Sequence, residues 1–130
     1  MEKSHLRTPL AKAKGMGSAK EGTGHFIHQR VTAIALVPLT IWFVFSIISF
    51  VVSDDSSKLA AWLYSGFNAG ATIFMLIALF YHAKLGLQVV IEDYVHVEIV
   101  KVLALAAMKL GCVFGALLGI VSVLKLSFGM

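Results

Sequence analysis

From Val31 to Val52 the chain carries no charged residue. A helical run of about 22 residues, rising about 1.5 Å per residue, is long enough to cross the ~30 Å hydrocarbon core of a bilayer. Inside hydrocarbon each backbone N–H and C=O must be satisfied internally, and a single long apolar segment does that as an α-helix. Pro38 lies within the run. It is expected to kink the helix rather than end it, as membrane helices tolerate proline. Two further apolar stretches follow, Leu59–Ile91 and Val102–Leu124, the latter interrupted only by Lys109. Leu59–Ile91 exceeds one span, so its first part, to about Tyr64, is expected to lie in the interface with Trp62 and Tyr64 as aromatic anchors. The fold class expected is an all-α membrane protein with three transmembrane helices, at about 31–52, 65–91 and 100–124. Residues 1–28 read as a polar basic tail of loops with a short surface helix, and 29–130 as the three-helix anchor.

Composition enters through charge. Of 130 residues, 58% are hydrophobic and 14% charged, with a mean hydropathy of +0.87, outside the range of soluble domains. Six of the eleven Lys and Arg residues fall in the first 30 positions (Lys3, Arg7, Lys12, Lys14, Lys20 and Arg30). The formal charge of +4 therefore describes a basic tail, which a membrane surface explains better than nucleic acid does. By the positive-inside rule the N-terminus is cytoplasmic, the acidic Ser53–Lys58 loop lies outside, and the C-terminus is periplasmic. The single cysteine, Cys112, excludes an internal disulfide and reads as an inert small apolar residue. The first apolar run starts too late and is too long for a secretory signal.

The second span carries the chemistry. His82 sits deep within it, and Asp93-Tyr94 follow eleven positions on. That spacing is nearly three turns, so His82 and Asp93 share a helix face and stand roughly 16 Å apart along the axis. An ionisable residue inside a span usually faces the bundle interior and has a partner. Two roles stand open for His82: a hydrogen bond to a neighbouring helix, or axial ligation of a haem by neutral imidazole. Ala78 and Gly86, one turn to either side, would let a porphyrin or another helix approach. If two histidines ligate the haem, the second belongs to a partner subunit, because the first and third spans contain no histidine.

With three spans, Arg30, Asp93 and Tyr94 are expected at one membrane boundary. Tyr94 offers a hydroxyl to a quinone carbonyl, Arg30 a positive charge and Asp93 a proton carrier; the alternative is that Asp93-Tyr94 simply ends a helix at the headgroups. Ala107, Gly111, Gly115 and Gly119 recur every four residues, a small-residue pattern for close helix packing. Lys109 has no assigned role, and Lys84, opposite His82, is expected to reach the interface. His25, His28 and His96 are expected to be solvated, without the spacing of a zinc site.

These residues resemble the small membrane-anchor (D) subunits of succinate dehydrogenase, respiratory Complex II. The resemblance is carried by Arg30-Val31-Thr32-Ala33-Ile34 at the first span, and by His82-Ala83-Lys84-Leu85-Gly86 followed by Asp93-Tyr94-Val95. The tail, with Arg7-Thr8-Pro9-Leu10 and Gly15–Thr23, is similar to alphaproteobacterial members. The related C subunits carry a His-Arg pair, followed by Ser or Thr-Gly, where this chain has Gln29-Arg30 and Thr32-Ala33.

The resemblance implies one haem b shared with the C subunit, with His82 as one axial ligand. It implies a ubiquinone site near the iron–sulfur subunit, lined by Tyr94, Asp93 and Arg30; Arg30 has a haem propionate as its other possible partner. A flavoprotein subunit would oxidise succinate, and this chain would anchor the complex in the bacterial inner membrane, or the mitochondrial inner membrane in a eukaryote. A fumarate reductase anchor has the same architecture with reversed electron flow. A non-catalytic membrane scaffold would have His82 as a hydrogen-bonding residue only.

Overall fold

The computed structural model describes residue 10, residues 20–52 and residues 57–129. Four helices account for almost all of this: α1 (Lys20–Val52), α2 (Ser57–Leu63), α3 (Gly66–Tyr94) and α4 (Glu98–Ser127). Three of them, α1, α3 and α4, are long and apolar enough to cross a membrane. At about 1.5 Å per residue each exceeds 40 Å, beyond the hydrocarbon core alone.

Helix α3 lies between the other two long helices. Trp42 meets Phe67 edge-to-face near one end of the α1–α3 pair, and Thr32 meets His82 further along, so the two helices run antiparallel. Helix α4 returns antiparallel on another side of α3, with Gly115 against Phe80 and Gly119 against Leu76. A Cβ on Gly115 would stand 2.7 Å from the Phe80 ring, and one on Gly119 would stand 3.0 Å from a Leu76 methyl. Two positions of the small-residue stripe thus seat α3 side chains, as small residues do where helix backbones approach closely. Gly111 faces open space, so the stripe is used over only part of its length.

Between α1 and α3 the short helix α2 packs inward rather than only marking an interface. Leu63, Ala69 and Val123 form a buried cluster, flanked by Leu59, Trp62, Ile73 and Leu76. Trp62 lies 5.0 Å from Trp42, 5.7 Å from Phe50 and 6.4 Å from Phe43. It is a packing residue joining α1 to α2, whereas Tyr64 is exposed as an anchor would be. Asn68 donates a hydrogen bond at 2.9 Å to the Trp62 carbonyl, which also accepts the Ser65 N–H at 3.4 Å where α2 ends. At the other end of the chain α4 closes on Gly129, whose φ of +68° is the left-handed conformation that ends many helices.

Each of the three long helices runs through one of the segments expected to span. α1 continues unbroken through Pro38, whose side chain faces outward, but it starts at Lys20, about three turns ahead of the apolar run. Residues 20–28, expected as tail, are therefore helix. The rest of the tail and most of the acidic loop lie outside the described residues. Few side chains are buried, and none of the described ones is on α1. Ile34, Phe45, Val51, Val52 and Leu110 are each at least 70% exposed. That apolar surface needs lipid or another protein.

Candidate functional site

His82 stands near the middle of α3, half-buried against α1. Its Nδ1 lies 3.0 Å from Oγ1 of Thr32. The same hydroxyl lies 2.8 Å from the His28 carbonyl and 3.0 Å from the Gln29 carbonyl, the backbone contacts open to a threonine inside a helix. So the hydrogen bond to a neighbouring helix, one of the two roles open to His82, is present. It engages one ring nitrogen and leaves Nε2 without a hydrogen-bond partner among the described residues.

Around His82, aromatic side chains line the α1–α3 seam. His28 meets the Tyr81 ring edge-on at 6.1 Å, and the Lys84 ammonium sits 5.5 Å from the centre of that ring. Lys84 is thus half-buried over an aromatic face. Gly86 faces Gln29, whose Nε2 would be 3.9 Å from an added Cβ. That is ordinary van der Waals contact, so the approach of α1 leaves room for a Cβ there. Ala78 is buried and lines an apolar groove of about 240 Å³ with Val31, Thr32, Ala35, Phe74, Ile77 and Tyr81. The small Ala35 and Ala78 keep that groove open one turn from His82.

Further along the seam a cavity of about 360 Å³ is lined by Gly22, His25, Gln88, Val89 and Glu92. Gln88 donates to Glu92 at 2.8 Å, and the buried Nε2 of His25 has no hydrogen-bond partner among the described residues. His25, expected to be solvated, instead turns into the seam because α1 is helical this far back.

The three residues expected at one boundary are set at two levels. Thr32 stands level with His82, and Gln29 level with Gly86, so the Arg30 backbone falls beside the His82–Gly86 turn. Asp93 is roughly 12 Å further along α3. Among the described residues, no hydrogen bond or ion pair joins Arg30 to Asp93 or Tyr94. The Arg30 side chain does run back toward that boundary, its guanidinium 5.0 Å from the Phe26 ring centre one turn earlier. Asp93 and Tyr94 are both exposed at the end of α3, where the backbone turns through Val95–Val97 into α4. His96 Nδ1–H donates to the Tyr94 carbonyl at 3.1 Å, holding that turn. Lys109 is exposed on α4 and Cys112 is a half-buried free thiol.

Thr32 was visible in the sequence only as part of the first-span motif; the one signal for a role was a hydroxyl at the start of an apolar run. Gln88 and His25 gave no signal, since their meeting depends on how far α1 extends.

Comparison with known proteins places this arrangement in a family. Residues 4–121 match the family model described as succinate dehydrogenase/fumarate reductase transmembrane subunit. The succinate dehydrogenase hydrophobic membrane anchor subunit of Rickettsia bellii is 36% identical over 81% of this chain and 83% of that protein. The corresponding subunit of Rickettsia conorii is 32% identical over 83% of this chain and 86% of its own length. That of Paracoccus denitrificans is 33% identical over 67% of each. With three apolar helices of spanning length and matches over most of its sequence, the chain belongs to the succinate dehydrogenase/fumarate reductase transmembrane subunit family, among its hydrophobic membrane anchor subunits.

Proposed function

We propose that this chain anchors succinate dehydrogenase in the bacterial inner membrane, binds one haem b jointly with a second anchor subunit, and forms part of the ubiquinone reduction site. The carrying observation is His82, an imidazole near the middle of an apolar helix of spanning length, with one ring nitrogen held by Thr32 and the other unpaired among the described residues. That donor set fits a haem: a neutral imidazole, a second-shell oxygen on its far nitrogen, and a neighbouring apolar groove kept open by alanines. His82 would hold the iron together with a residue of the partner anchor. Bound there, haem b would supply a one-electron redox centre between the two anchors. Arg30, whose backbone is level with His82–Gly86, is suited to a haem propionate and, through its reach past Phe26, to the boundary as well.

At the end of α3, Tyr94 would donate its hydroxyl proton to a quinone carbonyl while Asp93 passes protons from water. Both side chains are open for a site completed by the iron–sulfur subunit and the second anchor. Electrons would arrive from the flavoprotein through the iron–sulfur subunit; with one cysteine, this chain has no ligand set for a cluster of its own. The relatives named above are succinate dehydrogenase subunits, which supports succinate oxidation over fumarate reduction. The basic N-terminal segment would face the cytoplasm.

The quinone assignment is tested on the four-subunit complex with Tyr94→Phe. Loss of an oriented donor should lower succinate–ubiquinone activity about a hundredfold. Electron transfer from succinate to an artificial acceptor that bypasses the quinone should not change. Equal loss in both assays, or in neither, would remove Tyr94 from the quinone site.

A further inference from the structure

We infer that Thr32 is a positioning residue for His82: its hydroxyl selects the imidazole tautomer able to bind iron and fixes the ring against α1. The inference rests on the haem reading above and deepens it.

The argument is a count of hydrogens. The Thr32 hydroxyl has one, and three groups stand within reach of its oxygen: two backbone carbonyls at 2.8 and 3.0 Å, and His82 Nδ1 at 3.0 Å. Carbonyls only accept, whereas a neutral imidazole nitrogen accepts or donates according to tautomer. If the hydroxyl hydrogen goes to the His28 carbonyl, its oxygen is free to accept from Nδ1–H. That arrangement places both hydrogens, one on the His28 carbonyl and one on the Thr32 oxygen, and leaves Nε2 as a bare lone pair. The opposite arrangement would place the proton on Nε2, stranding a donor without a partner among the described residues of an apolar helix and blocking iron. Threonine can hold the first arrangement because its own helix supplies the carbonyls that orient the hydroxyl.

A hydrogen bond from the far nitrogen raises the basicity of a ligating imidazole and fixes its orientation. Removing the acceptor should therefore weaken iron binding and favour the ferrous state. Thr32→Val keeps the branched shape without the oxygen, and Thr32→Ser keeps the oxygen without the methyl group.

Both variants, with wild type and His82→Ala, are prepared as the intact four-subunit complex. Haem retention in detergent, haem midpoint potential and the low-temperature EPR spectrum of the oxidised haem are then measured. Thr32→Val should lose about tenfold in haem retention, the scale typical of second-shell losses. It should also raise the midpoint potential and shift the EPR signal, while Thr32→Ser stays near wild type. Unchanged potential and spectrum in Thr32→Val would overturn the inference. So would an equal shift in Thr32→Ser, which would trace the effect to the methyl group. Failure of the ligand reading shows separately, as an unaltered haem in His82→Ala.

Discussion

Toward α4, helix α3 presents Leu76 and Phe80, whose ends occupy the space where Gly119 and Gly115 lack a side chain. Toward α1 it presents His82 and Gly86, met by a threonine hydroxyl and a glutamine amide. The first seam is apolar and close-fitting, held by dispersion contacts that depend on shape. The second is looser, polar at His82 and Thr32, and flanked by a groove and a cavity. One side of the central helix is thus built to stay together and the other to hold something. The polar seam also falls on α1, which has no buried side chain among the described residues and so has most surface left for a partner.

Enlarging the glycines breaks the close-fitting seam in a graded way. Gly115→Leu should have the largest effect, preventing assembly of the complex, because even a Cβ there overlaps the Phe80 ring. Gly119→Ala should cost about 1–3 kcal/mol, the usual range for overpacking. Gly111→Ala should be neutral within about 0.5 kcal/mol, since nothing lies within 4 Å of its added Cβ. Yields of complex in detergent and thermal inactivation midpoints would rank the three. Equal tolerance of all three would mean that the stripe does not set the α3–α4 seam.

A smaller effect is expected across the polar seam. Gly86→Ala adds a Cβ in ordinary contact with Gln29, so assembly and the haem spectrum should be nearly those of wild type. A severe defect would show that Gly86 faces something closer than Gln29 in the complex, such as the haem or the partner anchor.

Hydropathy made the three spanning helices legible because a helix in hydrocarbon must be long, apolar and self-satisfied. His82 stood out for the converse reason, as a polar group in an expensive place. The start of α1 was not legible: Gly22, Thr23, Gly24 and His25 are poor helix formers, and what they face becomes visible only once α3 lies beside them. With that stretch helical, Arg30 stands beside the His82–Gly86 turn and not beside Asp93, where charge along the sequence alone would put it. Hydropathy marks where charge begins on each helix, whereas depth depends on how the two helices cross. Thr32 escaped for a similar reason, because its partner lies fifty positions away on another helix.

The most direct test of the account is the reduced-minus-oxidised absorbance spectrum of membranes holding the four-subunit complex, with His82→Ala beside wild type. The account predicts a b-type haem signal in wild type that disappears in His82→Ala while the anchor still inserts. A signal of equal size in both would contradict it, placing the iron on another residue and leaving His82 with its hydrogen bond to Thr32 alone.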